Sequence, residues 1–271
     1  GARALIEGSK NFKAKAPGRV ETHFDETAYF REVHETEQGV LDGIKDYMRM
    51  MPAYDPVMFQ VAEPVEPKFE ATDLNLILPA NQKRPYDSIQ LLARLTDNSE
   101  FMEFRPDYGP EIFCGIAKID GFPVAIVGNR QGVYPDYPAY ADGAYPGVGG
   151  KHYREGLIKQ GEFVTLCGRD NLPMIWLQDT TGIDVGDLAE EAELLGLGQA
   201  LVYSIEQTEI SMMCIVLRKG QAAAHYIMCG PQANNNNAFT LGTGCTEICV
   251  MHGETAAAGS YARRLLKEDE A

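Results

Sequence analysis

The sequence predicts an α/β fold in which parallel strands are buried between helices. Two patterns support this prediction. Almost wholly apolar runs such as Pro173–Gln178 and Met212–Leu217 are typical of strands that are covered on both faces. Helical segments alternate with such runs along the chain, and repeated strand–helix units favour parallel pairing in one sheet. A chain of 271 residues has ample core for such a domain.

The first 71 residues differ in character from the rest, so we expect a packed domain over residues 72–271 and a separate N-terminal part over residues 1–71. The N-terminal part is polar and charged, apart from a predicted helix at about Glu37–Met50. A proline-rich stretch without periodicity follows this helix and indicates an extended connector. The apolar residues that share one side of the predicted helix are Val40, Leu41, Ile44, Tyr47 and Met48.

The packed domain is predicted to begin with a short strand and a helix. Leu74–Leu78 is an apolar run of strand length. Pro85 is suited to the first turn of a helix, because proline presets the helical φ angle and needs no N–H partner there. The buried stripe of this helix would be Ile89, Leu92 and Leu95.

A hairpin and a long aromatic loop come next. Ile112–Ile119 and Pro123–Val127 are predicted strands, and the Asp120-Gly121 step between them is a strong hairpin signal. Residues 131–151 contain four tyrosines, three prolines and five glycines, which is too much turn chemistry for a regular element. This loop is either a lid or interface, or a surface excursion that packs on its own domain.

The second half of the chain is predicted to alternate between strands and helices up to a polar tail. Residues Asn234–Asn237 form an asparagine run, most simply a solvated loop. Besides the two apolar strands, the predicted elements are helices at about Lys151–Cys167 (with Leu157, Gly161 and Val164 on one face), Leu188–Ser204 and Ala222–Met228, a strand over Glu247–Val250 and a final helix from about Glu254.

Charge and apolar content exclude several classes of protein. A formal net charge of -15 argues against nucleic-acid binding and against an electrostatic membrane anchor, since both need clustered Lys and Arg. No apolar run approaches the roughly 18–20 residues that a membrane span requires. The chain begins without Met or a signal peptide, so we expect a fragment or a processed chain of a cytoplasmic protein.

The six cysteines follow neither a disulfide nor a metal-ligand spacing. Cys245 and Cys249 lie four residues apart without a nearby Cys or His pair, and His252 alone is a poor completion, so we expect no metal. The other four lie in or beside apolar segments and are expected to be reduced and buried. These four are Cys114, Cys167, Cys214 and Cys229.

Two segments, Asn171–Ala200 and Arg218–Gly230, have the same construction. Each is an apolar strand that breaks at small residues and enters a helix. Such a break exposes N–H groups at a helix N-terminus, where the helix dipole favours negative charge. Two breaks on neighbouring strands would point two amides at one oxygen and form an oxyanion hole. No Ser, His or Cys nucleophile motif is evident in the sequence.

Five stretches in this order resemble the biotin-dependent carboxyltransferases: PYDSIQLLARLTDNSEFMEF, IAKIDGFPVAIVGNRQGV, PMIWLQDTTGIDVG, MCG and VMHGETAAAG. The resemblance covers residues 73–259 and is to the second, biotin-binding of two homologous domains. It implies the crotonase fold, a superhelix of stacked strand–strand–helix units. Residues 1–71 would then be the end of a preceding acyl-CoA-binding domain and a connector, since HETEQGVLDGIKDYMRMMP resembles the close of that domain.

The resemblance also implies a mechanism and a set of site residues. In this family, main-chain amides bind the urea oxygen of biotin and stabilise the anion that forms during carboxyl transfer. Alanine stands where the family usually has glycine, and alanine adopts positive φ less readily. The positions that match the amide donors are Gly182, Ile183, Ala222 and Ala223. The neighbouring positions expected to contact biotin are Thr181, Gln221, Ala224 and His225.

Simpler roles for these residues stay open. Gly182 would otherwise be a turn glycine, and residues 222–224 a tight helix contact. His225 is either a polar contact to biotin or a satisfied structural histidine. Gly196 and Gly198 are expected to allow close packing of a helix on the sheet rather than to touch a ligand.

The partners implied by the resemblance are biotin on a separate carrier protein or subunit, an acyl-CoA bound through the preceding domain, and a second copy in a homodimer. The aromatic insertion Tyr134–Tyr145 and the asparagine run favour the decarboxylase branch of the family, with glutaconyl-CoA converted to crotonyl-CoA. Membrane-bound decarboxylase subunits of a sodium pump would then be further partners.

Three other functions are kept as alternatives. One is the carboxyltransferase β subunit of a methylcrotonyl- or propionyl-CoA carboxylase. Another is a half-domain that serves dimerisation without catalysis. The third is a free-standing enoyl-CoA hydratase or isomerase, for which Glu190 and Glu191 are the candidate catalytic carboxylates.

Overall fold

A seven-stranded sheet with a parallel centre organises the fold. The structure is a computed structural model that describes residues 19–51, 62–138, 146–230, 235–253, 256–257 and 261. The described strands are β1 Met102–Glu103, β2 Ile112–Ile119, β3 Phe122–Asn129, β4 Val133–Pro138, β5 Pro146–Val148, β6 Lys151–His152, β7 Met174–Thr180, β8 Gly182–Ile183, β9 Met212–Gln221, β10 Asn237–Gly242 and β11 Glu247–Cys249. The described α-helices are α1 Glu37–Met50, α2 Leu74–Ile77, α3 Ser88–Leu95, α4 Arg154–Arg169, α5 Asp187–Glu191, α6 Leu194–Glu206 and α7 Ala222–Ile227.

The strand order in the main sheet is β1-β2-β3-β7-β9-β10, and β11 also pairs with β9. The pairs β1–β2 and β2–β3 are antiparallel, whereas β3–β7, β7–β9, β9–β10 and β9–β11 are parallel. Two small ladders lie outside this sheet: β4 with β5, and β6 with β8. The predicted parallel α/β fold is therefore confirmed, with an antiparallel hairpin at one side.

Alternate residues of the central strands feed two separate cores, one on each face of the sheet. On β7, Met174 and Trp176 point into the larger core, and Leu177 points into the smaller one. Helices α4 and α6 pack against each other over the larger core, which contains Leu157 of α4 and Leu201 of α6. Helix α3 covers the smaller core. Both faces of the central strands are thus buried, which explains why these strands are almost wholly apolar.

The hairpin between β2 and β3 turns where the sequence predicts, and a buried aspartate holds it. Asp120 and Gly121 both have positive φ, as a two-residue hairpin turn requires. The carboxylate of Asp97 accepts hydrogen bonds from the main-chain N–H of Asp120 and of Gly121, both at 2.8 Å. It also accepts one from Val65 at 3.5 Å, so this carboxylate ties the N-terminal connector to the hairpin.

The structure corrects two predictions about the start of the domain. Leu74–Leu78 is not a strand: α2 occupies Leu74–Ile77, and helical spacing puts Leu74 and Leu78 together against the smaller core. Helix α3 begins at Ser88 rather than at Pro85, since Asp87 caps it by accepting from the N–H of Ile89 at 2.9 Å. The Ile89 side chain is 56% exposed, so Leu91 replaces it in the buried stripe.

Three more predictions need correction. Lys151 and His152 belong to β6 and precede α4. The helix predicted over Leu188–Ser204 is two helices, because Glu193 adopts a left-handed φ of 63° between α5 and α6. Asn236 is not simply solvated, because its amide donates to the carbonyl oxygens of Ile205 and Thr208. Glu254 and most of the predicted final helix lie outside the described residues.

Helix α1 has the predicted bounds, but its apolar side is largely exposed in this chain. Met50 alone reaches the larger core, whereas the side chain of Ile44 is 54% exposed and that of Met48 is 62% exposed. The four cysteines predicted to be buried are all buried. Among the described residues, no helix is both long and apolar enough to cross a membrane.

We predict that Asp97→Ala lowers the free energy of unfolding by about 2 kcal/mol, because two short charge-assisted hydrogen bonds are lost and the buried amide of Gly121 is left without its acceptor. Urea denaturation measures this change. The matched control is Asp107→Ala at an exposed aspartate, for which we expect a change below about 0.5 kcal/mol. Equal stability of the two variants would contradict the role assigned to Asp97.

Candidate active site

The two segments predicted to carry amide donors lie side by side in the structure. Strands β7 and β9 are adjacent and parallel, so both end at the same edge of the sheet. Beyond β7 the chain enters β8, Gly182–Ile183, and beyond β9 it enters α7 at Ala222. Helix α7 packs directly against β8. Two main-chain segments that follow neighbouring strands are therefore in contact.

Within the first segment, the geometry distinguishes Ile183 from Gly182. Gly182 has a φ of 135°, and its N–H donates to the hydroxyl of Thr180 at 3.2 Å. In the β6–β8 ladder, Gly182 pairs with Lys151, and the N–H of Asp184 donates to the carbonyl oxygen of His152. Alternate residues of a strand point their N–H groups in opposite directions. The N–H of Ile183 therefore points away from β6, which makes it the better donor of the two.

Thr181 lies at the entrance to this segment and is exposed. Its N–H and its hydroxyl both donate to the carbonyl oxygen of Gly150, at 2.7 and 3.2 Å. The hydroxyl of Thr180 donates to the same oxygen at 3.0 Å. Gly150 thus holds the turn between β7 and β8 through three hydrogen bonds, and the predicted contact of Thr181 with biotin would have to come from another part of that residue.

In the second segment, the first turn of α7 presents its main chain to the surface. Ala222 and Ala223 are exposed, while Gln221 and Ala224 are buried. No side chain caps the helix. Ala222 adopts a left-handed φ of 51°, a conformation that glycine enters far more readily than alanine. The chain therefore takes up at Ala222 the backbone geometry that the glycine-rich family pattern implies.

His225 has the features of a structural histidine. Its Nδ1 lies 2.7 Å from Oε1 of Gln178, and Nε2 of Gln178 donates to the carbonyl oxygen of His225. Burial lowers the pKa of His225, so the ring is neutral at pH 7. The amide of Gln178 also donates to the carbonyl oxygen of Met228, so this fully buried residue fixes the C-terminal half of α7 to β7.

The two glycines of α6 differ in role. A side chain on Gly198 would lie 3.4 Å from Cδ1 of Ile183, so this glycine lets α6 pack closely on β8, as predicted. Gly196 has open space where its side chain would be, and the same prediction is wrong for it.

The sequence reasoning missed the charged residues beneath the site. Asp179 and Arg218 are both fully buried, and Nε of Arg218 donates to Oδ2 of Asp179 at 2.8 Å. The next residue, Lys219, donates its N–H to Oδ1 of Asp179 at 3.1 Å. Burial lowers the pKa of Lys219, and Asp179 opposes this shift. One signal was available: both charges directly follow apolar strand runs, where an unpaired charge would be costly.

A second buried polar group lies behind β6. His152 is fully buried, and burial lowers its pKa to about 3, so it is neutral. Its Nε2 lies 3.3 Å from Nδ2 of Asn129, and Oδ1 of Asn129 accepts from the N–H of Asp179. Its Nδ1 lies 3.2 Å from the side-chain amide of Gln160. A neutral imidazole has one N–H and one acceptor nitrogen. Because Oδ1 of Asn129 accepts from Asp179, its Nδ2 is the donor toward the ring, and Nε2 of His152 accepts from it.

Among the described residues, no group of three or more His, Cys, Asp or Glu side chains is placed to hold a metal ion. At the contact between β8 and α7, the site offers main-chain N–H groups for binding an oxygen atom. The polar side chains behind these segments are neutral or paired. Glu190 and Glu191 of α5, the candidates for a hydratase, are both exposed.

Comparison with known proteins identifies the family. The Carboxyl transferase domain family matches residues 4–271. The chain belongs to this family. It is 54% identical over 259 residues to the glutaconyl-CoA decarboxylase subunit alpha of Acidaminococcus fermentans, a match that covers 96% of the chain and 44% of that protein. It is 27% identical over 237 residues to the biotin-dependent 3-methylcrotonyl-coenzyme A carboxylase beta1 subunit of Mycobacterium tuberculosis, covering 83% of the chain and 41% of that protein.

Solved structures show the same fold. Transcarboxylase 12S superposes with a TM-score of 0.76 at 21% identity, covering 97% of this chain and 49% of that one. The beta subunit of geranyl-CoA carboxylase from P. aeruginosa gives a TM-score of 0.63 at 22% identity, covering 92% of this chain and 44% of that one. The predicted crotonase-like fold is confirmed. The chain spans about half the length of these relatives.

We predict that Ala222→Gly stabilises the protein by about 0.5–1 kcal/mol, because glycine removes the cost of the left-handed backbone at that position. Ala223→Gly is the matched control. Ala223 lies in the same helical turn without a positive φ, so glycine there should destabilise by a similar amount. Thermal or urea unfolding measures both changes, and the same sign for the two would contradict this backbone assignment.

Proposed function

We propose that this chain is the biotin-facing half of a carboxyltransferase subunit that moves a carboxyl group between glutaconyl-CoA and biotin, leaving crotonyl-CoA. The 54% identity to a glutaconyl-CoA decarboxylase subunit alpha carries the proposal, because it is twice the identity to the methylcrotonyl-CoA carboxylase relative. The contact between β8 and α7 supports the proposal, because main-chain N–H groups for binding one oxygen atom lie there.

The residues at this contact fit the ureido group of biotin. That group presents one carbonyl oxygen, and small or exposed residues at Gly182, Ala222 and Ala223 leave the main chain within reach of it. We assign the N–H groups of Ile183 and Ala223 as the donors. Bound biotin would supply the nitrogen that gains or loses the carboxyl group. By analogy with measured oxyanion holes, each such donor contributes about 3 kcal/mol to the barrier reduction.

The proposed reaction also needs biotin and a site for the acyl-CoA, and these two requirements define the proposed partners. We propose that biotin arrives on a carrier protein or subunit and that the acyl-CoA is bound outside the biotin-facing half. The exposed apolar side of α1, with Ile44 and Met48, suits a covering surface from a preceding acyl-CoA domain or from a second copy. For a chain that works as part of a decarboxylase, we propose the membrane-bound subunits of a sodium pump as further partners.

A carboxylase β subunit of the methylcrotonyl- or propionyl-CoA type is the second candidate. It uses the same transfer in the opposite direction, and the relatives with such names are 23–29% identical to this chain. The hydratase alternative loses support because Glu190 and Glu191 are exposed on α5 rather than buried beside the amides.

The proposal is tested by carboxyl transfer from glutaconyl-CoA to free biotin, with crotonyl-CoA as the measured product. We expect turnover by the complete subunit and none by residues 1–271 alone, because the acyl-CoA site would lie on the other half. Turnover by residues 1–271 alone would contradict this division of the site. A complete subunit that accepts only methylmalonyl- or methylglutaconyl-CoA would favour the carboxylase candidate.

We predict that Ile183→Pro and Ala223→Pro each lower the transfer rate of the complete subunit by roughly 100-fold or more, since proline removes the donor N–H. The N–H of Ile183 points away from β6, so proline there leaves the β6–β8 ladder intact. Ile183→Val keeps the amide and should be mild.

Asp187→Pro is the matched proline control, because it places proline at the first, exposed residue of α5. Circular dichroism and thermal melts must first show that each variant is folded. Near-normal transfer by both folded donor variants would mean that these amides do not bind the urea oxygen.

A further inference from the structure

Strands β7 and β9 change register at one point, opposite Asp179. Gln178 pairs with Val216, but Thr180 pairs with Gly220, so β9 has two more residues than β7 in this interval. A bulge of this kind bends its strand and takes N–H groups out of the ladder. The bulge reaches Lys219, three residues before Ala222, and therefore sets the direction in which the chain leaves the sheet to form α7.

The side chain of Asp179 closes this bulge. Its Oδ1 accepts from the N–H of Lys219 at 3.1 Å, and its Oδ2 accepts from Nε of Arg218 at 2.8 Å. Its own main chain is equally engaged. The N–H of Asp179 donates to Oδ1 of Asn129 at 3.0 Å, and its carbonyl oxygen accepts from Nε2 of Gln131 at 2.8 Å. All four polar atoms of one fully buried residue are thus bonded.

Stability alone does not account for such a pair. Removing two charges from water costs several kcal/mol per ion, and apolar replacements of buried ion pairs are often neutral or stabilising. What the pair does supply is a defined geometry. Asp179 lies four residues before Ile183, and Lys219 lies four residues before Ala223, so the linkage joins the two strands just ahead of the two donors.

We propose that Asp179 is a positioning residue for carboxyl transfer. Through Arg218 and the N–H of Lys219, it fixes the bulge in β9, and thereby the separation and direction of the main-chain N–H groups of Ile183 and Ala223. This inference rests on the proposed function and assigns Asp179 no contact with biotin or with the acyl-CoA.

The test is the double variant Asp179→Leu/Arg218→Met in the complete subunit, which removes both charges of the ion pair together and leaves Lys219, whose Nζ lies 3.6 Å from Oδ1 of Asp179, without that carboxylate. We expect it to fold, with a lowered melting temperature, because the carbonyl oxygens that accept from Arg218 and the N–H of Lys219 lose their partners. The transfer rate should fall by roughly 100-fold, because a displacement of about 1 Å is enough for such a loss, whereas KM for the acyl-CoA should not change. Hydrogen exchange at Ala222–Ala224 should become about tenfold faster, because the start of α7 is less constrained.

The matched control is Arg105→Met/Glu162→Gln, which removes another ion pair with a buried arginine, joined at 2.6 Å. It should leave both the transfer rate and exchange at Ala222–Ala224 unchanged. If the double variant fails to fold, Gln131→Leu carries the test, since it removes the hydrogen bond to the carbonyl oxygen of Asp179 and the contacts to Arg218 and Lys219. That variant should lower the rate several-fold and speed the same exchange.

The outcomes separate this inference from the proposed function. A folded double variant with unchanged rate and unchanged exchange would overturn the positioning role while the function stands. The same result for Gln131→Leu, should that variant carry the test, would overturn it equally. An unsubstituted complete subunit that transfers no carboxyl group from any of the acyl-CoA esters would overturn the proposed function, and the positioning role with it.

Discussion

The buried ion pair between Asp179 and Arg218 is the constraint on which the arrangement of this domain depends. A guanidinium with no exposed surface needs partners on every side. Besides Asp179, Arg218 donates to the carbonyl oxygens of three residues in the loop before α3, and its guanidinium lies 4.8 Å from the ring centre of Tyr86. That loop is thereby held against the ends of β7 and β9. One charge pair joins the first helices of the domain, the sheet and the site edge.

The proposed site is built from main chain, and this explains the character of its sequence. An amide donor needs a backbone direction and a free approach rather than a particular side chain, and three of the four residues there are small: Gly182, Ala222 and Ala223, with Ile183 as the fourth. The side chains that hold this main chain in place lie beneath these residues. Gln178 holds the C-terminal half of α7, and Asn129 connects His152 to Asp179. For the same reason no single motif identifies the family, and only the ordered set of segments does.

The edge of the sheet also explains how the segments that follow β7 and β9 come to lie together. Parallel neighbours end on the same side, and α7 and β8 meet because each leaves the sheet at that side. Gly198 adds a further condition, since a larger residue in α6 would press on Ile183. Small residues on β8, α6 and α7 therefore together set the geometry of the contact between these three elements.

The sequence by itself determined the fold class, the hairpin at Asp120-Gly121, the bounds of α1 and the two segments on which the proposed site rests. Each of these follows from local backbone preference or from apolar periodicity, which short stretches of chain already contain. Tertiary structure alone decided the rest. Leu74–Leu78 is helical because packing, not alternation, places its leucines, and Glu193 breaks a helix that its own sequence would continue. The register change opposite Asp179 and the pairing of Asp179 with Arg218 join residues about 40 positions apart. The choice of Ile183 over Gly182 depends on the pairing of β8 with β6, about 30 positions earlier. No local pattern encodes such contacts, because they exist only once these strands lie side by side.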